Sequence, residues 1–188
     1  MEHFKNIKHL ITAALLCALT CIATMSVQIP TPTFGYVNPG DSIVLLCGVI
    51  LGPLTGAVAA GIGSMMADLL TGYVIYAIPT LIIKGITAWI AAVVFHQLRK
   101  RIPSLSLAMV LAGIPAESAM SCGYFINKIF QTMFLATSFS KEAFLTGVTY
   151  ALAGIPSNII QGITGIVLSV LLLPVLSKIP DIRIKTAL

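Results

Sequence analysis

Polar and charged residues inside apolar segments are the part of this sequence that could do chemistry. Glu117, Ser121, Tyr124 and Lys128 follow one another at intervals of four, three and four residues. On a helix this spacing places all four side chains in one stripe. Such a stripe supplies hydrogen-bond donors and acceptors, a charge of each sign and an aromatic ring, which together suit the binding of a small polar molecule.

A later apolar segment carries a second polar face, because Asn158 and Gln161 lie about one helical turn apart. Together the two faces predict a polar pocket between helices. Tyr76 and Tyr124 could give this pocket a flat wall for a ring. The full set of candidate binding residues is Asn38, Asp41, Tyr76, Lys84, Glu117, Tyr124, Asn127, Asn158 and Gln161.

The same charges also allow a structural interpretation. Asp68 with Lys84, and Glu117 with Lys128, could be ion pairs that hold helices in register and touch no ligand. Lys128 and Asp41 could instead reach the membrane interface at the helix ends. The sequence leaves these alternatives open.

Catalytic and metal-binding patterns are absent from the sequence. It contains no GxSxG, HExxH or Walker A motif, and its four cysteines form no CxxC pair. His3, His9 and His96 have no Cys, Asp or Glu at the spacing of a metal site. We therefore expect no enzyme activity, no metal and no cofactor.

The composition predicts a membrane protein. Hydrophobic residues make up 57% of the 188 residues and charged residues only 9%, whereas about 25% of the residues in a soluble domain are charged. So few charges cannot cover a water-facing surface. A soluble enzyme, a disordered tail and a nucleic-acid-binding domain are therefore excluded, and the net charge of +5 indicates membrane orientation.

The apolar segments predict an all-α integral membrane protein with six transmembrane helices in a single domain, residues 1–188. A cleaved signal peptide is the alternative for the first segment. The second helix is expected to be short, because Gly52 and Pro53 interrupt the apolar segment. The predicted helices cover about residues 7–27, 42–52, 54–72, 79–98, 105–135 and 148–176.

The basic residues predict which side of the membrane each end of the bundle faces. Six crossings put both termini and the basic cluster at 99–101 on one side, with eight of the eleven lysines and arginines. The positive-inside rule identifies that side as the cytoplasm. Thr33 and Ser138 are then external, and the loops at 29–40 and 136–147 are candidate lids over the pocket.

Four motifs give the chain a family resemblance: YVNPGD at 36–41, LGPLTG at 51–56, ADLLTGY at 67–73 and PTLIIKG at 79–85. With Ala14 and Ala18 spaced as Ala-xxx-Ala in helix 1, the chain resembles, over nearly its whole length, the substrate-binding S components of energy-coupling factor (ECF) transporters. The resemblance is strongest over residues 36–86, where the chain is similar to the branch of proposed hydroxymethylpyrimidine and vitamin B6 transporters.

The resemblance implies a high-affinity vitamin-binding subunit in the bacterial cell membrane, with its pocket in the first loop and the outer parts of helices 4 to 6. It also implies two kinds of partner, a transmembrane coupling protein and two cytoplasmic ATPases that hydrolyse ATP. The family's helix 1 alanines contact the coupling protein, which assigns this role to Ala14 and Ala18. Leu10 departs from the fullest form of the motif and limits the close contact to two small residues.

The substrate that the resemblance implies is pyridoxine or another B6 vitamer, or hydroxymethylpyrimidine. Other S-component substrates, namely pantothenate, folate, riboflavin and cobalamin, remain alternatives. A small membrane scaffold and a stand-alone carrier without ATPases are alternatives from other classes. No ion site or proton relay is evident in the sequence to support a carrier.

Overall fold

The structure, a computed structural model, describes residues 2–31, 35–136 and 140–178. This part of the chain folds as six helices and one short β-hairpin, which confirms the predicted all-α class. Thr33 and Ser138 lie outside the described residues. In chain order the elements are α1 (Glu2–Ser26), β1 (Ile29–Pro30), β2 (Tyr36–Val37), α2 (Gly40–Leu51), α3 (Pro53–Leu70), α4 (Val74–Arg99), α5 (Leu105–Leu135) and α6 (Lys141–Leu176).

Five helices of the described chain are long and apolar enough to cross a membrane, and α2 is the exception. Its 12 residues rise only about 18 Å at about 1.5 Å per residue, whereas the hydrocarbon core of a bilayer is about 30 Å thick. All of its residues are buried, because α1, α3, α4 and α6 pack around it. The predicted short second helix is thus confirmed, and it forms the centre of the bundle.

Small residues let the surrounding helices approach α2 and each other closely. A Cβ atom on Gly48 of α2 would lie 2.1 Å from the carbonyl oxygen of Ala88 in α4. A Cβ atom on Gly63 of α3 would lie 2.4 Å from the carbonyl oxygen of Cys17 in α1. Close backbone contact at small residues is a common basis of helix association in lipid. These contacts fix the positions from which the polar side chains project.

Contacts between helices also determine which ends lie together. His9 near the start of α1 lies 3.3 Å from Thr55 near the start of α3, measured from Nε2 to Oγ1. At the other end of α1, a Cβ atom on Gly40 at the start of α2 would meet Thr24. The end of α1, the hairpin, the start of α2, the end of α3 and the start of α4 therefore share one end of the bundle.

α6 begins seven residues earlier than its predicted start at 148. Ser140 caps the helix, because its Oγ accepts a hydrogen bond from the backbone N–H of Ala143 at 3.2 Å. A capping serine satisfies one of the N–H groups that a helix start leaves without a partner. The prediction of a lid loop at 136–147 is therefore wrong for residues 141–147, which form the first two turns of α6.

α4 also begins earlier than the predicted start at 79. Gly72 makes the turn after α3 with a φ of 87°, a conformation that favours glycine, and the helix starts at Val74. In the structure Pro79 lies inside α4.

Candidate functional site

A cavity of about 80 Å³ opens at the end of the bundle that carries the hairpin. In the hairpin, Ile29 pairs with Val37 and Pro30 with Tyr36 in antiparallel register, and β2 packs against α6. The cavity wall is formed by residues of the hairpin segment and of α1, α3, α4, α5 and α6. Six elements from distant parts of the chain thus meet at one site.

All five tyrosines of the chain line this cavity. Three of them form a row, with ring centroids 4.7 Å apart between Tyr36 and Tyr73 and 6.3 Å apart between Tyr73 and Tyr76. Tyr124 on α5 and Tyr150 on α6 complete the set. Because aromatic faces stack on other planar rings, this wall suits a flat heteroaromatic ligand.

A charged residue lies at each end of the tyrosine row. The hydroxyl of Tyr36 donates a hydrogen bond of 2.6 Å to Oδ1 of Asp68, and burial raises the pKa of Tyr36, which keeps this donor protonated. At the other end, Nζ of Lys128 donates to the hydroxyl of Tyr76 and lies 4.9 Å from the centre of its ring. Asp68 and Lys128 both line the cavity.

Amide groups supply the polar face of the cavity, where Asn38, Asn158 and Gln161 lie. Oε1 of Gln161 accepts a hydrogen bond of 3.2 Å from the backbone N–H of Asn38. The side chain of Asn38 in turn accepts from the backbone N–H of Gly40 at 2.8 Å, which fixes the segment between β2 and α2. Asn158 lies on the same cavity wall.

A buried ion pair joins Asp41 of α2 to Lys84 of α4, and the two side chains are 0% and 4% exposed. Nε2 of Gln161 donates a hydrogen bond of 2.8 Å to the other oxygen of Asp41. Gln161 therefore connects the cavity to the ion pair. Neither charged residue is among the described residues of the cavity wall.

Two of the structural alternatives are corrected by this arrangement. Asp41 does not extend to the surface of the bundle, because α2 is the central helix and its first turn is buried. Lys84 forms its ion pair with Asp41, while Asp68 accepts a hydrogen bond from Tyr36. The predicted pair of Asp68 and Lys84 is therefore wrong. The carboxylate of Asp41 on α2 pairs with the lysine instead.

Glu117 lies away from the cavity wall, deeper in the bundle. It packs on glycines of α6: a Cβ atom on Gly165 would lie 2.9 Å from Cβ of Asp41 and 3.3 Å from Oε1 of Glu117. The proposed pair with Lys128 is not formed, because Lys128 contacts Tyr76 and Gln131 instead. Eleven residues along a helix correspond to about 16 Å. The stripe on α5 therefore places Lys128 at the cavity and Glu117 deeper in the bundle.

Five of the nine predicted binding residues line the cavity, namely Asn38, Tyr76, Tyr124, Asn158 and Gln161. Asn127 lies on the same helix as Tyr124 but is not among the described wall residues. The structure adds Tyr36, Asp68, Tyr73 and Lys128, which the sequence prediction left out. A signal for the tyrosines was present in the sequence, since they cluster near one end of the helices, where an interfacial aromatic belt accounts for the same pattern.

Ala14 and Ala18 lie on the outward face of α1. The buried face of this helix carries Ala13, Leu16 and Thr20, whereas both predicted contact alanines are exposed. Two small residues one turn apart on an outward face leave room for the close approach of another helix. Their position is compatible with a contact to a partner in the membrane.

Comparison with known proteins identifies the family. A family model described as the S component of an ECF-type riboflavin transporter matches residues 4–178. An uncharacterized protein of Pyrococcus woesei is 34% identical over 152 residues, which are 78% of this chain and 86% of that protein.

A solved structure, the S component of a bacterial ECF transporter, has the same fold, with a TM-score of 0.63 and 19% identity. The match covers 92% of this chain and 96% of the solved chain. The site, the apolar helices and these matches lead to one conclusion: the chain is a multi-pass membrane protein that belongs to the family of ECF-type riboflavin transporter S components.

Proposed function

We propose that this chain binds a vitamin with a single planar heteroaromatic ring, a B6 vitamer such as pyridoxine or hydroxymethylpyrimidine, and delivers it to an ECF transporter. The observation that carries the proposal is the convergence of all five tyrosines on one cavity. Asn38, Asn158 and Gln161 supply donors and acceptors for the ring nitrogens and hydroxymethyl groups of such a ligand. A scaffold subunit would have no need of an aromatic cavity with a polar rim.

The size of the cavity favours a small ligand. Its volume of about 80 Å³ holds roughly six water molecules at about 10–15 Å³ each. That space is closer in size to one six-membered ring than to the three fused rings of riboflavin. Riboflavin is the second candidate, because the matching family carries its name.

Isothermal titration of the detergent-purified protein tests the substrate class. Pyridoxine, hydroxymethylpyrimidine and riboflavin are titrated in parallel, with pantothenate, which has no ring, as the control. We expect a single-ring compound to bind most tightly. Tighter binding of riboflavin would favour the second candidate, and a preference for pantothenate would contradict the role of the tyrosine wall.

Replacing Asn158 by alanine is expected to weaken binding of the single-ring vitamin by roughly tenfold to a hundredfold. The loss of one hydrogen bond in a dry site leaves a ligand group without a partner, which costs about 1–3 kcal/mol. Asn127→Ala is the matched control, because it removes an equal amide from a residue that is not on the described wall. Titration of both variants checks the prediction. An equal loss of affinity in the two variants would show that the site is not confined to this wall and extends to Asn127 on α5.

The subunit is proposed to lie in the plasma membrane of a bacterial cell and to work with a membrane coupling protein and two ATPases. ATP hydrolysis then takes place on those cytoplasmic partners. The outward position of Ala14 and Ala18 supports a contact between α1 and the coupling protein. The cavity is proposed to face outwards, because the basic cluster at 99–101 lies at the opposite end of α4.

Single cysteines are expected to report this orientation. In a variant without the four native cysteines, Lys100→Cys should be protected from a membrane-impermeant maleimide on intact cells, while Lys141→Cys should react. Permeabilised cells provide the control, since both positions should then be labelled. A reaction at position 100 on intact cells would reverse the proposed topology and place the cavity inside.

A further inference from the structure

Asp68 presents a carboxylate oxygen that makes no close hydrogen bond in the described part of the chain, with the side chain of Thr80 as its neighbour. The residue is only 3% exposed, and its Oδ1 accepts the hydrogen bond from Tyr36. Its Oδ2 is buried without a hydrogen bond to any described residue, although Asp68 lines the cavity. Buried polar atoms in native proteins almost always have a partner, so this oxygen is available to accept a hydrogen bond from a bound ligand.

Lys128 brings a positive charge to the same cavity from a different helix. Its ammonium group lies over the ring of Tyr76, and Tyr73 connects Tyr76 to Tyr36 in the row of stacked rings. A planar ligand that packs against this row therefore lies between a carboxylate beside Tyr36 and an ammonium group beside Tyr76. Lys84, by contrast, is paired with Asp41 outside the described wall.

We propose, on the basis of the proposed function, that Asp68 and Lys128 select a zwitterionic 3-hydroxypyridine, the form that B6 vitamers adopt in neutral water. The protonated ring nitrogen donates to Oδ2 of Asp68, and the phenolate oxygen accepts from Nζ of Lys128. Each is a charge-assisted hydrogen bond, which is about twice as strong as a neutral one. Hydroxymethylpyrimidine has no phenolate, and the fused rings of riboflavin carry no such pair of charges, so both make fewer of these contacts.

Two ligands that differ by one oxygen test this assignment. The purified protein is titrated with pyridoxine and with 3-deoxypyridoxine, which lacks the phenolate oxygen. We expect pyridoxine to bind at least roughly tenfold more tightly, as a hydrogen bond between charged groups predicts. Lys128→Met should reduce this preference by weakening pyridoxine, and Asp68→Asn should weaken pyridoxine more than 3-deoxypyridoxine, whose ring nitrogen is mostly unprotonated in neutral water.

Controls separate binding from folding. Lys141→Met removes a lysine at the exposed start of α6 and should leave both affinities unchanged, and thermal unfolding checks each variant. Lys128→Gln, which can still hydrogen bond to Tyr76, replaces Lys128→Met if that variant does not fold. An equal loss of both ligands in the Lys128 variants, or equal binding of the two ligands by the native protein, would overturn the assignment.

The panel also distinguishes this inference from the proposed function. Binding of hydroxymethylpyrimidine or riboflavin, but of neither pyridine, would overturn the selection by Asp68 and Lys128 and leave the vitamin-binding role intact. Failure of the native protein to bind any aromatic vitamin would overturn both.

Discussion

Replacing Lys84 by methionine is expected to lower the free energy of unfolding by about 3–5 kcal/mol, the cost of leaving one member of a buried ion pair without its partner. Asp41 is 0% exposed at the centre of the bundle, and without Lys84 its carboxylate keeps the hydrogen bond from the side-chain amide of Gln161. A carboxylate in this position has no water to solvate it. Chemical unfolding of the detergent-purified variant, followed by circular dichroism, measures the loss.

A double variant tests the cause of this loss. Asp41→Asn combined with Lys84→Met removes both charges, keeps a polar group beside Gln161 and should regain much of the lost stability, because replacing a whole buried pair is often nearly neutral. Lys141→Met controls for the removal of an exposed lysine. A single variant as stable as the native protein would contradict the structural role of the pair, as would a double variant less stable than the single one.

Bulky residues at positions 14 and 18 are expected to abolish transport while vitamin binding survives. Both alanines are exposed on α1, so leucine fits without disturbing the bundle, but it adds side-chain volume where a partner helix must approach closely. We expect Ala14→Leu and Ala18→Leu each to reduce vitamin uptake by more than about tenfold. Uptake by cells that express the whole transporter, and titration of the isolated subunit, measure the two effects separately.

Ala153→Leu is the matched control for this prediction. It makes the same substitution at an exposed alanine on α6, and we expect transport to continue. Loss of binding together with transport in the α1 variants would show that the two alanines support the fold of the subunit. Loss of transport in the control would show that any added bulk on the membrane surface is harmful.

The sequence predicted the parts of the site that follow from helical spacing within one segment. Asn158 and Gln161 lie on one helix face, and both line the cavity. The short second helix also followed from local sequence, because Gly52 and Pro53 end one helix and begin the next. These features depend on residues that are close in the chain.

Features that depend on packing could not be predicted in the same way. Asp41 and Lys84 are 43 residues apart in the sequence. They can pair only because α2 lies at the centre of the bundle. That position depends on the close contacts between α2 and the backbones of neighbouring helices. Glu117 and Lys128 lie on one face of α5, but eleven residues separate them by about 16 Å along the helix axis. Asp68 had no sequence signal to distinguish a ligand contact from an ion pair, because that distinction depends on where Tyr36 packs.

Native mass spectrometry of the protein purified alone from cells tests the central claim most directly. We expect the subunit to retain one small molecule whose mass, measured after release, corresponds to a B6 vitamer or hydroxymethylpyrimidine. Replacement of all three tyrosines of the row by alanine should remove the bound mass while the folded protein remains. A native protein that carries no small molecule, even after incubation with these vitamins, or one that retains a ligand without an aromatic ring, would contradict the account.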